Sequence, residues 1–319
     1  MLPSSLVPDR LPFVLPEFLR LSWVTEAAHD VWALRLRAMV RAWFEIEISS
    51  AAIGARECAL IRRPSQDCSS RIAEWSARGL RVLFLPDRTQ TAPGQPEACA
   101  SEDNPSEATY LVVGAGQGVA RFHDAWMADD HLAMGLLLGY PRCCATAFVE
   151  RHVRGSWLDP TWLMAASEST GGPLAEVAGS PITNLLWRWI GVRATPHLLC
   201  DFHCSASVEL GRRFIQIGRE SAYEAEMDWL QEVLSWPAKW SALHGIAEVK
   251  TPILKVTTRT DATATTYTVH WLGERFPEEG AKGVAFPYKT PERALLTESA
   301  VFRRAMKAVP DIVQIQPAR

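Results

Sequence analysis

The chain has 319 residues, 48% of them apolar and 22% charged, and a formal net charge of −3. This is enough apolar length for a substantial core and for division into two lobes. The charge balance gives no global attraction to nucleic acid or to an anionic membrane surface, so neither is expected as a partner.

The first segment reads as α/β. Apolar side chains at helical spacing (Val31, Leu34, Leu36, Met39, Val40, Trp43, Phe44) predict a helix over 25–47. Cys58-Ala-Leu-Ile-Arg62 reads as a short buried strand, and a helix over 65–78 ends at Gly79. Leu80–Leu85 is a second strand, bounded by Pro86-Asp87. Residues 88–107 carry almost nothing to bury and read as an exposed loop. Tyr110–Val113 is a third strand, followed by the glycine string Gly114-Ala-Gly-Gln-Gly118. Val119 stands where the dinucleotide fingerprint needs glycine or alanine, so the string reads as a plain strand-to-helix turn.

A helix over 119–138 leads to Gly139-Tyr140-Pro141, and Pro141 suits the first turn of the next helix, which runs to His152. Residues 155–180 form a Gly/Ser/Pro-rich connection, and a short helix over 182–190 ends at Gly191. Ser205 and Ser207 are both suitable caps for a long helical region reaching Trp236, with a break near Gly218. Beyond it, Ile253–Thr258 and Thr265–Trp271 alternate and are rich in β-branched residues, which predicts a hairpin. Residues 280–291 read as a loop and 292–308 as a final helix. The expected division is an N-terminal α/β lobe (1–107), a central helical cysteine-site domain (108–245) and a C-terminal β-hairpin extension (246–319). The fold class is α/β, with α+β as its alternative.

Four of the seven cysteines form two tight pairs, Cys143-Cys144 and Cys200/Cys204, each at an expected helix start. Helix starts favour thiolates through unpaired N–H groups and partial positive charge. No uninterrupted apolar run approaches the roughly 18 residues that span a bilayer, and the first residues lack the pattern of an export signal. The expectation is therefore a cytoplasmic protein, where clustered thiols bind metal or do redox chemistry more often than they form structural disulfides. Cys58, Cys68 and Cys99 have no neighbouring partner in the sequence.

Cys200 and Cys204 have a spacing that zinc accepts. The tandem pair argues for something larger, because adjacent residues reach one small ion with difficulty. The leading expectation is therefore a 4Fe-4S iron–sulfur cluster on Cys143, Cys144, Cys200 and Cys204; with one cysteine of the tandem structural instead, three would hold the cluster and one iron would be open to chemistry. Zinc and a metal-free thiol–disulfide site are the alternatives. His203 and His197 flank the second pair as possible further ligands, or as donors behind the sulfurs. His152 stands eight residues past Cys144, about 12 Å along a helix and too far to share the site. Tyr140 and Arg142 are candidates to orient a substrate carboxylate. Asn184 and Arg188 lie one turn apart and can face one pocket, and Trp157, Trp162, Trp187 and Trp189 are candidate cavity walls. The loop Gly283–Lys289 is a candidate lid, with an ordinary surface loop the plainer reading.

Leu138-Gly-Tyr-Pro-Arg-Cys-Cys144, then Ala147-Phe148, Asn184 and His197-Leu-Leu-Cys200-Asp-Phe-His-Cys204-Ser-Ala-Ser207, resemble a poorly characterised prokaryotic family, a domain of unknown function 483-like group. Its pattern pairs Gly-Tyr-Pro-x-Cys-Cys with His-x-Pro-Cys-Ser-x-x-Cys-x-x-Ser. The match is close over 130–215 and loose over 105–290, and Leu199 and Asp201 replace the pattern's proline and serine. The resemblance implies a shared cysteine site and supplies no reaction. The functional expectation is an iron–sulfur transferase or oxidoreductase acting on a small molecule or peptide-borne amino acid in a biosynthetic pathway, served by an electron or sulfur donor protein. Its rivals are a zinc-stabilised binding or accessory protein and a thiol–disulfide oxidoreductase.

Overall fold

Thr25 starts a helix of 27 residues by accepting the Ala28 N–H at 3.0 Å, which satisfies one of the free amides at the helix start. The computed structural model describes residues 7–11, 15, 18–62, 69–85, 110–274 and 276–280. The expected loop over 88–107, the helix over 292–308, the loop Gly283–Lys289, Cys68 and Cys99 lie outside these residues.

In chain order the elements are β1 (Leu19–Trp23), α1 (Glu26–Ala52), β2 (Cys58–Arg62), α2 (Ser69–Ala77), β3 (Arg81–Leu85), β4 (Tyr110–Gly114), α3 (Gly116–Met127) and α4 (His131–Leu137). Then come α5 (Arg142–Phe148), α6 (Thr161–Ala165), β5 (Leu174–Val177), α7 (Ser205–Glu220), α8 (Glu224–Leu234), β6 (Ala238–Leu243), β7 (Ile246–Lys250), β8 (Leu254–Arg259) and β9 (Tyr267–Trp271). Helices and mixed sheets give the α/β class predicted from the sequence. Only β5 and β9 pair in parallel among these strands, which places the molecule at the α+β end of that class. None of the described helices is long and apolar enough to cross a membrane.

β2, β4 and β3 form a three-stranded antiparallel sheet with β4 in the middle. Its side chains alternate between two cores, as the two-residue period of a strand requires. Ala59, Ile61, Leu111 and Val113 join the main core with α1, whereas Cys58, Leu85 and Val112 join a smaller core with Val119, Phe122 and Met134 of α3 and α4. Each large apolar side chain so buried contributes about 1.5–3 kcal/mol. Gly114 answers the question raised by the glycine string: a Cβ there would lie 2.3 Å from the Glu57 carbonyl oxygen. The glycine permits close backbone approach at the turn into α3.

The second sheet has six strands in the order β1-β8-β7-β6-β9-β5. The two strands expected from the alternating segments both form, but they do not pair with each other. β8 and β9 flank a β6–β7 hairpin. β1, from the other end of the chain, pairs antiparallel with β8 from Leu19↔Thr258 to Trp23↔Leu254. The helix expected over 119–138 is divided, with a turn containing Asp129 at φ 54° between α3 and α4, and the break expected near Gly218 falls between α7 and α8, where Ala222 has φ 67°.

Tryptophans fill the main core. Trp32 meets Trp236 edge-on with ring centroids 4.6 Å apart, Trp187 packs on the same ring, and Trp43 stacks on Phe214. Trp162 lies against Tyr267, and Trp157 carries the Arg10 guanidinium on its face.

Candidate metal centre

Two segments distant in sequence bring the cysteines together. The first is the turn between α4 and α5. Gly139 adopts φ +75° there, and a Cβ would meet the Arg56 Cβ at 2.9 Å, so the position excludes a side chain on both counts. Pro141 then caps α5, placing Cys143 and Cys144 in its first turn. α5 passes directly into a π-helical turn over Val149–Arg154. The second segment is the irregular stretch after Gly191, anchored by buried Val192, Ala194, Leu199 and Phe202, which ends with Cys204 as the N-cap of α7.

The four sulfurs all lie within 4.8 Å of one another. Cys143 Sγ is 3.9 Å from Cys144 Sγ and 3.7 Å from Cys204 Sγ, and Cys144 Sγ is 3.6 Å from Cys204 Sγ. Cys144 and Cys204 are buried, Cys200 is half-buried and Cys143 is exposed. This arrangement is competent to hold a metal. A single ion with sulfurs at about 2.3 Å in a tetrahedron has sulfur–sulfur edges of about 3.8 Å, and the three distances above match that edge. The Cys143–Cys144 separation is compatible with a shared metal site.

Hydrogen bonds converge behind the buried pair. The Cys200 N–H donates to Cys144 Sγ at 3.4 Å. Ser207 Oγ lies 3.2 Å from Cys144 Sγ, donates to Cys204 Sγ at 3.3 Å and stands 2.9 Å from His197 Nε2. Without a metal the thiols differ sharply. Burial pushes Cys144 up to about 12 despite Ser207 and the Cys200 N–H, and burial with the neighbouring Cys144 and Cys204 thiols raises Cys200 further. Burial also opposes the Cys204 thiolate, but hydrogen bonds from the Ser207 hydroxyl and N–H and from the Cys144 and Cys200 thiols together outweigh it, so this thiol falls below its ordinary value. In the metal-free chain burial therefore works against ionisation of Cys144 and Cys200. A bound cation would reverse that, since metal ligation deprotonates the thiols.

The other predicted residues take different places. His197 and His203 are outside the four-sulfur group. His197 turns its Nε2 to Ser207, while His203 reaches Glu168 at 3.2 Å across a partly exposed surface. Tyr140 stacks on the His197 ring with centroids 5.0 Å apart, and Arg142 is exposed at the start of α5. Asn184 is fully buried: its amide donates to the Leu234 carbonyl at 2.9 Å and its oxygen accepts from the Leu186 N–H. Arg188, one turn on, donates to Asp159 at 2.7 Å. His152 is buried and stacks on Phe148.

Two residues that matter here escaped the sequence reading in their present roles. Ser207 reads as a helix cap, and only its place in the motif hinted at more. Arg151 donates to the Leu199 carbonyl at 3.4 Å; burial works against its charge, while Cys200 and Asp201 support it. No family model, no curated protein and no solved structure matches the chain.

Proposed function

We propose that Cys143, Cys144, Cys200 and Cys204 hold one tetrahedral, zinc-type ion, and that the chain is a metal-fastened binding protein for a small molecule. The supporting observation is that the Cys143, Cys144 and Cys204 sulfurs lie 3.6–3.9 Å apart, the edge of a tetrahedron around a single ion, with the Cys200 sulfur within 4.8 Å of each. A cube whose irons each take one thiolate holds its ligand sulfurs farther apart. A four-thiolate site is closed, and closed zinc sites are structural. When bound, the ion supplies charge neutralisation of the thiolates and a cross-link between α5 and the start of α7. The chain's own residues do the rest: Ser207 and the Cys200 N–H orient the buried sulfurs, and Arg151 lies beside the resulting anionic centre.

An iron–sulfur enzyme, with a small-molecule or peptide substrate and a donor protein, is the second reading. The exposed Cys143 favours it, because a solvent-facing ligand can yield a coordination position to substrate. The resemblance to the domain of unknown function 483-like family supports a cysteine site under either reading. Anaerobic purification with metal and acid-labile sulfide analysis separates them. A colourless protein with about one zinc per chain and no sulfide is expected, and a brown protein with iron and sulfide in equal amounts would replace the first reading with the second.

A further inference from the structure

Three buried charges meet behind Tyr140 from separate parts of the chain. Glu47 belongs to α1, Arg56 to the turn after it, and Arg193 to the stretch leading to Cys200. Their exposures are 7%, 6% and 9%. Glu47 accepts from Trp43 Nε1 at 2.8 Å and from Arg193 at 3.2 Å, and from Arg56 only at 3.5 Å. Arg56 also donates to the Glu47 carbonyl at 2.7 Å and lies over the Phe214 ring.

One carboxylate faces two guanidinium groups that keep their protons in any protein environment. The cluster therefore carries an excess positive charge away from water. Its donors are also incompletely used: Nε and Nη1 of Arg56 and Nε of Arg193 are buried without a hydrogen-bond partner. Buried cations and N–H groups left this way are costly unless something pairs with them. Tyr140 follows Gly139, which packs against Arg56. Its ring is half-buried against His197, while its hydroxyl, pushed up by burial, lies in the field of Glu47, Arg56 and Arg193.

We propose that Arg56, Arg193 and Tyr140 form a binding site for a small oxoanion, such as the carboxylate of an organic acid or a phosphate group. Guanidinium forks match both anions through paired N–H groups. The site is joined to the cysteine centre by a continuous set of contacts, from Tyr140 to His197, Ser207 and the Cys144 and Cys204 sulfurs. The inference names a ligand class that the metal reading leaves open, and it stands whichever metal the cysteines hold.

The test is a titration of the full chain as purified, with sodium acetate and with inorganic phosphate at constant ionic strength against a chloride control, followed by calorimetry and thermal melting. Saturable binding of one anion is expected, and the one saturating at lower concentration identifies the class. Arg193→Gln should weaken that binding about tenfold or more, and Glu47→Gln, which removes the competing internal carboxylate, should strengthen it. Opposite shifts in these two variants do not arise from a general loss of folding. Absence of saturable binding to either anion, or unchanged affinity in Arg193→Gln, overturns the proposal. If Arg193→Gln does not fold, Glu47→Gln decides alone, and binding that is unchanged or weaker refutes the site. Metal content measured on the same samples keeps a failure here distinct from a failure of the metal reading.

Discussion

Ser207 Oγ stands 2.9 Å from His197 Nε2, and this contact orders the protons behind the buried sulfurs. Ser207 has one hydrogen to give and is also within 3.2 Å of Cys144 Sγ and 3.3 Å of Cys204 Sγ. With a metal bound the thiolates would only accept, so the serine proton would point to a sulfur and His197 would donate from Nε2. Nδ1 is then bare, in keeping with its lack of a partner. Burial, with Arg193 adding to it, pushes the ring down to about 3 and keeps it neutral.

Ser207→Ala removes the hydroxyl and leaves the fold of α7 in place. Metal affinity is expected to fall by about 10–100-fold, as for other groups that orient metal ligands. Competition with a chromophoric chelator measures it. Ser207→Thr keeps the hydroxyl and should retain most of the affinity, and wild-type affinity in the alanine variant would contradict this role.

The four cysteines are not equivalent in burial. Cys144→Ser and Cys204→Ser alter the buried sulfurs and should abolish stoichiometric metal, whereas Cys143→Ser alters the exposed one and should retain a weakened site. Metal-to-protein ratios after gel filtration give the comparison. Stripping wild-type protein with a chelator should lower its melting temperature by more than about 10 °C, since the bound ion stabilises only the folded chain.

His152 sets an acid limit. Burial pushes it down to about 4 from an ordinary 6.5. Between those values the unfolded chain binds a proton that the folded one refuses, so its contribution is complete above about pH 6.5 and drains away as pH falls toward 4. The full shift is worth roughly 3 kcal/mol. Urea unfolding from pH 7 to pH 4.5 should show a shallower acid loss in His152→Gln than in wild type. Identical slopes would exclude His152 as the cause.

Asp159 joins four parts of the structure. It accepts from Arg188 at 2.7 Å, from the Thr161 hydroxyl at 2.6 Å, from Trp240 at 3.1 Å and from Thr260 at 3.0 Å. Asp159→Ala strands the buried Arg188 charge and should cost about 3–5 kcal/mol in urea unfolding. Asp159→Ala combined with Arg188→Met should recover part of that loss. A single variant within 1 kcal/mol of wild type, roughly, would show that the pair is not isolated from water.

Elements specified by local pattern were legible in the sequence. α1, β2, β3 and β4 follow from apolar periodicity, and the cysteine pairs announced a shared site. The β6–β7 hairpin was not legible because its two-residue turn is His244-Gly245. Both residues have positive φ, 48° and 78°, but the first is not the asparagine or aspartate that marks such turns. β8 and β9 could be recognised as strands, whereas their partners depend on contacts that alternation does not encode. Leu174–Val177 lies in a stretch rich in turn residues, and its strand is specified only by β9 beside it. The Glu47–Arg56–Arg193 cluster had no signal at all. In a chain where arginine is plentiful, nothing local distinguishes a buried guanidinium from a solvated one.

The pairing of Leu19–Trp23 with Leu254–Arg259 has a consequence for any shortened form of the chain. Cleavage after Trp23 would uncover the backbone amides and carbonyls of a β-branched strand along its whole length. Such an exposed edge recruits strands from other molecules, so the shortened protein should aggregate even where its four-cysteine cluster is intact.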